Sequence, residues 1–258
     1  MNPENQNTRR SFFRKILASG VLAIAYPEML VQADSVQNEK RKELRKGLVL
    51  LFQGDSITDG NRGRNTDPNH IMGHGYAFSI ASRLGADFPE LDLKFYNRGI
   101  SGNTVSDLAD RWQKDTLELK PDILSILVGV NDVDRAIKSG ELNQVVQFEN
   151  MYRLILEQTK TQFSDVQFVL CEPFILPVGR VKENWEAWNS EVMKRQAVVR
   201  KLAIEFDAVL VEFQKVLNKA SKSIAPEYWI WDGIHPTVPG HELLTREWLK
   251  CIRTRFKF

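Results

Sequence analysis

The chain alternates short, uninterrupted apolar runs with longer amphipathic stretches. Leu48 to Phe52 is the first apolar run and closes on Gly54. Leu91 to Tyr96, Ile123 to Val128, Val166 to Leu170 and Ala208 to Val211 are the next. Runs of Val, Ile and Leu without polar alternation suit strands covered on both faces, as in parallel sheets. Between them, Tyr76 to Leu84, Leu142 to Gln162 and Trp185 to Phe206 carry apolar residues at helical spacing. In the last of these, Trp185, Trp188, Val192, Val199, Leu202 and Phe206 share one face. A final helix is predicted from about Pro239 to Ile252. Alternating strands and helices predict an α/β domain: a three-layer sandwich around a central, mainly parallel five-stranded sheet with right-handed crossovers.

The N-terminal stretch reads as an address. Residues 8–15 are Thr-Arg-Arg-Ser-Phe-Phe-Arg-Lys, and an apolar segment from Ile16 to Ala25 follows. A basic region before a short apolar one is the pattern of an export signal, and the segment is too short for a comfortable membrane span. Arg9, Arg10 and Phe12 resemble a twin-arginine signal, which implies periplasmic delivery. A general secretory signal is the alternative. Cleavage is expected after Ala25 or Ala33, with no nearby cysteine to suggest a lipid anchor. Residues 1–33 are therefore assigned to the export signal, 34–46 to a charged, solvated linker and 47–258 to the folded domain. No stable membrane anchor is expected once the signal is removed.

Composition narrows the function classes. The 258 residues are 43% hydrophobic and 26% charged, an ordinary globular balance. The formal net charge is +2 with Lys and Arg dispersed, which does not suggest a nucleic-acid partner. The two cysteines, Cys171 and Cys251, cannot form a disulfide scaffold or a zinc cluster and are read as free thiols.

Open α/β sheets build their sites beyond the carboxyl ends of the strands. The chemically suggestive segments fall there. Gly54-Asp55-Ser56-Ile57-Thr58-Asp59-Gly60 ends the first apolar run. Asn97-Arg98-Gly99-Ile100-Ser101-Gly102-Asn103-Thr104 follows the second, and Gly129-Val130-Asn131-Asp132 the third. Asp232-Gly233-Ile234-His235-Pro236 precedes the last helix. Each alone is explained by turn or cap chemistry, which uses the same residue types. All of them, in order and at strand ends, are not.

Taken together these segments resemble the GDSL/SGNH hydrolase family, whose blocks contribute Ser, Gly, Asn and His. Ser56, Gly102, Asn131 and His235 take those positions. The resemblance covers nearly all of residues 48–252 and implies an SGNH, flavodoxin-like fold. More narrowly, Gly54 to Asp59, Asn97 to Val105 and Trp231-Asp232 resemble bacterial acetylxylan esterases of that family. An α/β-hydrolase is disfavoured, because position 58 is Thr where the Gly-x-Ser-x-Gly elbow needs Gly, and because Asp232 and His235 are only three residues apart.

The chemistry assigns the roles. A serine hydroxyl is a weak nucleophile until a base takes its proton, and His235 is the candidate base for Ser56. Asp232, in the same loop, is placed to accept the Nδ1 proton and fix the tautomer. The resemblance implies an oxyanion hole made of the Ser56 and Gly102 backbone N–H groups and the Asn131 amide. Glycine suits position 102 because it permits close approach and unusual φ/ψ. No metal or organic cofactor is required. Hydrolysis is expected to weaken as His235 takes up a proton in acid.

Asp55 and Trp231 are the candidate substrate-binding residues. Tyr228, Trp229 and Trp231 either line a sugar cleft or pack in the core, whereas Trp185 and Trp188 fit the core. Residues 60–75 form a polar loop at the site mouth, with Arg62, Arg64, His70 and His74 expected to be solvated. His241 is read as incidental and Cys171 as unreactive. The expected partner is an acylated, chiefly O-acetylated, carbohydrate or another small ester. A lysophospholipase or thioesterase on the same frame is the alternative, followed by a non-catalytic carbohydrate-binding protein. The acetylxylan-esterase resemblance also points to a homo-oligomer.

Overall fold

The computed structural model describes residues 41–141 and 144–258. Residues 1–33, most of the 34–46 linker, and Leu142 at the start of one expected helix lie outside them, and so does the twin-arginine-like segment. The compact unit runs from Lys42 to Phe258.

In chain order its elements are β1 (Lys42–Glu43), β2 (Val49–Gly54), α1 (Ser56–Asp59), α2 (Tyr76–Asp87), β3 (Lys94–Asn97), α3 (Val105–Asp110), α4 (Trp112–Asp115) and β4 (Ile123–Leu127). Then come α5 (Val130–Ser139), α6 (Val145–Gln162), β5 (Gln167–Cys171), α7 (Gly179–Lys182), α8 (Trp185–Glu205), β6 (Val209–Val211), α9 (Phe213–Ala220), α10 (Val238–Ile252) and β7 (Phe256–Lys257). Five strands form one all-parallel sheet in the order β3-β2-β4-β5-β6.

The uninterrupted apolar runs have a direct cause. Successive side chains on a strand point to opposite faces, and here both faces are covered. Leu50 and Phe52 of β2, Val169 and Cys171 of β5, and Val209 and Val211 of β6 enter one core, with Trp248 of α10. Leu51, Leu124, Phe168 and Leu170 enter the other, with Phe148 and Tyr152 of α6 and Leu202 of α8. One polar residue interrupts β4: Ser125, whose Oγ accepts the indole N–H of Trp248 at 3.0 Å and so satisfies a fully buried donor.

Two expected boundaries move. The second strand starts at Lys94 rather than Leu91, because Pro89–Leu91 make a 3₁₀ turn and Asp92 takes a left-handed φ of 45°. The folded unit starts before Gly47. Lys42 and Glu43 pair in parallel with Phe256 and Lys257, and Arg45 forms an ion pair with Asp122. A charged pair of residues cannot announce such pairing, because the backbone supplies its bonds.

β2 is flanked by β3 on one side and β4 on the other, so the chain reverses its direction of travel across the sheet there. In open α/β sheets sites form beyond the carboxyl ends of the strands at such a switch point, here those of β2 and β4.

Candidate active site

The first turn after β2 is short and capped at both ends. The Asp55 carboxylate accepts the Ile57 N–H at 3.0 Å, and Gly60, with φ 52°, closes α1. This places Ser56 at the first position of α1, just beyond the carboxyl end of β2 and partly exposed. The Trp231–His235 loop is pinched by a bridge between Ile230 and Pro236. Asp232 braces it from within: Oδ1 accepts the backbone N–H of Ile234 at 3.0 Å and of His235 at 2.7 Å. Thr237 then caps α10 through the Gly240 N–H.

These two local constructions meet. The Ser56 Oγ lies 2.8 Å from Nε2 of His235, and Nδ1 of His235 lies 2.7 Å from Oδ2 of Asp232. Burial by itself would raise the Asp232 carboxyl. The side-chain and backbone hydrogen bonds from His235, with the Ile234 N–H, overcome it and hold the group at about 2. Asp232 is therefore a carboxylate across the working range, and an anion beside Nδ1 selects the tautomer with a free Nε2 lone pair facing Ser56.

Gly102 lies on the loop after β3 with φ 83°, a conformation that penalises any Cβ, although the space around it is open. Its carbonyl accepts Nη2 of Arg135 at 3.2 Å. Asn131 sits in the first turn of α5, just beyond β4, and its Nδ2 donates to the Asn103 carbonyl at 3.0 Å. A primary amide carries a second N–H for another acceptor. The adjacent Asp132 holds the Val105 N–H at 3.3 Å, and burial lifts its carboxyl to about 6.

The structure corrects three readings. Asp55, expected to bind substrate, is 1% exposed and serves as the cap of α1; burial raises its carboxyl to about 7. Arg62 and Arg64 are not merely solvated. Arg62 Nε donates to the Gly99 carbonyl at 3.0 Å, and Arg64 forks onto Asp59 at 3.0 and 2.7 Å. His241 is not incidental: its Nδ1 accepts the Tyr76 N–H at 3.1 Å and caps α2 from a helix distant in sequence. Burial lowers that imidazole to about 4, so it is neutral.

The aromatic cluster divides. Trp229 packs against the core and meets Tyr228 edge-on at 4.9 Å. Trp231 is 65% exposed, and its ring stacks beside that of His235 at 6.4 Å and 27°. Trp188 is buried, as the helix stripe implies. Cys171 and Cys251 are free thiols; burial pushes the Cys171 thiol far up and leaves it unreactive. Among the described residues, no group of three or more His, Cys, Asp and Glu side chains is placed to hold a metal ion. No described helix is long and apolar enough to cross a membrane.

The sequence places Asp59 inside the Ser56 motif without pointing to a role for it. Its side chain is 3% exposed and gathers donors from two segments, the Arg62–Arg64 stretch and Ser101. The available signal was a carboxylate one turn after the serine, in a segment otherwise bound for the interior.

A three-layer α/β sheet with serine, imidazole and carboxylate in line at its switch point defines a hydrolase class. The chain belongs to the GDSL-like lipase/acylhydrolase family, whose model matches residues 52–243. It is a carboxylic ester hydrolase. It is 33% identical over 221 residues to the acetylxylan esterase of Geobacillus stearothermophilus, covering 81% of this chain and 96% of that protein. A crystal structure of that esterase superposes with a TM-score of 0.71 at 32% identity, covering 81% of this chain and 96% of the other. Its solved variants include catalytic mutants in which a serine, an aspartate or a histidine is replaced by alanine. A crystal structure described as a GDSL-like lipase of Parabacteroides merdae superposes with a TM-score of 0.78 at 39% identity, covering 83% and 99%.

Proposed function

We propose that the protein removes O-acetyl groups from carbohydrate through an acyl-enzyme on Ser56. The single observation that carries this is the unbroken line from Ser56 Oγ to His235 Nε2, and from His235 Nδ1 to Asp232. The likeness to an acetylxylan esterase supplies the substrate class.

In the first half-reaction, His235 Nε2 takes the Ser56 proton as Oγ bonds to the acyl carbon. The carbonyl oxygen becomes an oxyanion, held by the Ser56 and Gly102 N–H groups and the second amide hydrogen of Asn131. Collapse of the tetrahedral species breaks the bond to the sugar oxygen, which leaves with the proton from His235. In the second half, His235 takes a proton from water as the hydroxide attacks the acyl carbon. Acetic acid departs, and Ser56 regains its proton. Asp232 remains ionised and stabilises the imidazolium in both halves. Trp231 offers an exposed aromatic face beside His235, which suits the apolar face of a sugar ring.

The test is acetate release from acetylated xylan and from p-nitrophenyl acetate, with a panel of longer acyl chains. Wild-type activity that vanishes in Ser56→Ala and favours acetyl over long chains is the expected result. Preference for long chains would replace this reading with a lysophospholipase or thioesterase. The N-terminal sequence supports export through a twin-arginine-like signal. Replacing Arg9 and Arg10 with lysine should then retain the protein in the cytoplasm, whereas unchanged export would point to the general secretory route.

A further inference from the structure

We propose that Asp59, clamped by Arg64, is a positioning residue that fixes the oxyanion loop relative to the Ser56 turn. The inference rests on the reading of Ser56 and Gly102 given above.

An oxyanion hole works only if its donors keep fixed positions relative to one another. Two of the three come from different segments: Ser56 opens α1, and Gly102 lies on the loop after β3. Asp59 closes the same single turn that Ser56 opens. Its Oδ2 accepts the backbone N–H of Ser101 at 3.0 Å and the Ser101 hydroxyl at 3.3 Å. Ser101 immediately precedes Gly102. The carboxylate thus ties the residue leading into one donor to the turn that carries the other.

The rest of the surroundings hold Asp59 still. Arg64 Nη1 and Nη2 meet Oδ1 and Oδ2, and the Arg62 N–H meets Oδ1 at 3.1 Å. Burial favours protonation, and these donors outweigh it, so the group is held below the ordinary carboxylate range. Arg62 continues the brace to the Gly99 carbonyl. Gly99 itself lies so close to α1 that a Cβ there would come within 2.4 Å of the Asp59 nitrogen. Asn97 adds bonds to the carbonyls of Thr58 and Asp59. Backbone contact brings the loop to the turn; the Asp59 carboxylate sets where Ser101 stops.

Charge and shape make an amide a poor substitute. A carboxylate has two acceptor oxygens, enough for the Arg64 fork and Ser101 together. Asparagine has one oxygen, and its NH₂ would face Arg64 in either orientation, together with the Ser101 N–H or the Arg62 N–H, donor against donor. Misplacement of a reacting geometry by about 1 Å costs on the order of 100-fold in rate.

The experiment compares the full chain with Asp59→Asn, Arg64→Ala and Arg64→Lys. Steady-state kinetics on p-nitrophenyl acetate are normalised to sites titrated at Ser56, and binding of a phenylboronic acid, which forms a tetrahedral adduct at Ser56, is measured alongside. Asp59→Asn should lower kcat per site on the order of 10- to 100-fold, with KM within about 2-fold and boronate affinity falling in parallel. Arg64→Ala should move both readouts the same way by less, and Arg64→Lys should restore part of the loss. A merely structural role would reduce yield and melting temperature but leave kcat per titrated site unchanged. The proposal is overturned if Asp59→Asn, or Arg64→Ala should Asp59→Asn not fold, retains wild-type kcat and boronate affinity. If wild type itself fails to hydrolyse esters, or Ser56→Ala hydrolyses them equally well, it is the reading of Ser56 that fails instead.

Discussion

The Ser56 hydroxyl and the His235 imidazole, 179 residues apart in the chain, stand 2.8 Å apart in the fold. If His235 is the base for Ser56, the pair acts as a unit. Ser56→Ala, His235→Ala and the double variant should each lose on the order of 10⁴- to 10⁶-fold in kcat, without adding up. Asp232→Asn should lose on the order of 10⁴-fold, because an amide donor at Nδ1 reverses the tautomer. Single-turnover rates on an activated acetate ester check this. Additive losses would mean that the two side chains act separately.

Asn131 poses a different question, since its amide already donates to Asn103. As an oxyanion donor it should act on the transition state far more than on bound substrate. Asn131→Ala should therefore reduce kcat by about 10²- to 10³-fold while KM stays nearly constant. A rise in KM at constant kcat would instead make the amide a ground-state contact or a loop brace alone.

Two buried groups give opposite pH dependences of stability. The Asp55 carboxyl, at about 7 when folded against 3.8 as its ordinary value, binds its proton more tightly in the folded state. Stability from this group is present below the lower value and is lost as pH rises toward the upper one. His241, lowered from 6.5 to about 4, does the reverse: unfolded chains take up its proton first, so stability is lost as pH falls through that window. Asp55→Asn keeps a cap for α1 and removes the first effect. Relative to wild type it should gain more unfolding free energy at about pH 8 than at about pH 4. Urea denaturation at both values decides the matter, and an equal difference at both would show that burial does not perturb Asp55.

Trp231 tests the carbohydrate assignment. Its exposed ring beside His235 can contact a sugar but takes no part in proton transfer. Trp231→Ala should raise KM for acetylated xylo-oligosaccharides about 3- to 10-fold and leave p-nitrophenyl acetate turnover nearly unchanged. Equal losses on both substrates would place the tryptophan in support of His235 rather than of the sugar.

Much of this architecture was legible in the chain. The strand runs at 123–128 and 166–170 are recovered within about two residues, and so are the helices that follow Asn184 and Thr237; the helix after Gly75 begins at Tyr76 as expected and runs on to Asp87. Parallel strands covered on both faces leave a continuous apolar signature that no other element of this length requires. The shorter helices went unread. Val130–Ser139 and Phe213–Ala220 are one-sided, with Val130, Val133 and Ala136, or Phe213 and Leu217, turned inward, but at ten and eight residues each reads as part of the connection between two strands or helices. The segments holding Ser56, Gly102, Asn131, Asp232 and His235 were visible because each follows a strand run or opens a helix.

What the sequence determined, then, is the set of elements and the identity of the groups at their ends, because periodicity and caps depend on neighbours a few residues away. Tertiary structure alone decided which of those groups face each other. It buried Asp55 and aimed His241 at the α2 terminus. It laid Lys42 beside Phe256, and it set Asp59 against Ser101. Each of these depends on where distant backbone comes to lie, and on whether a charged side chain ends in water or among donors. No local pattern encodes that.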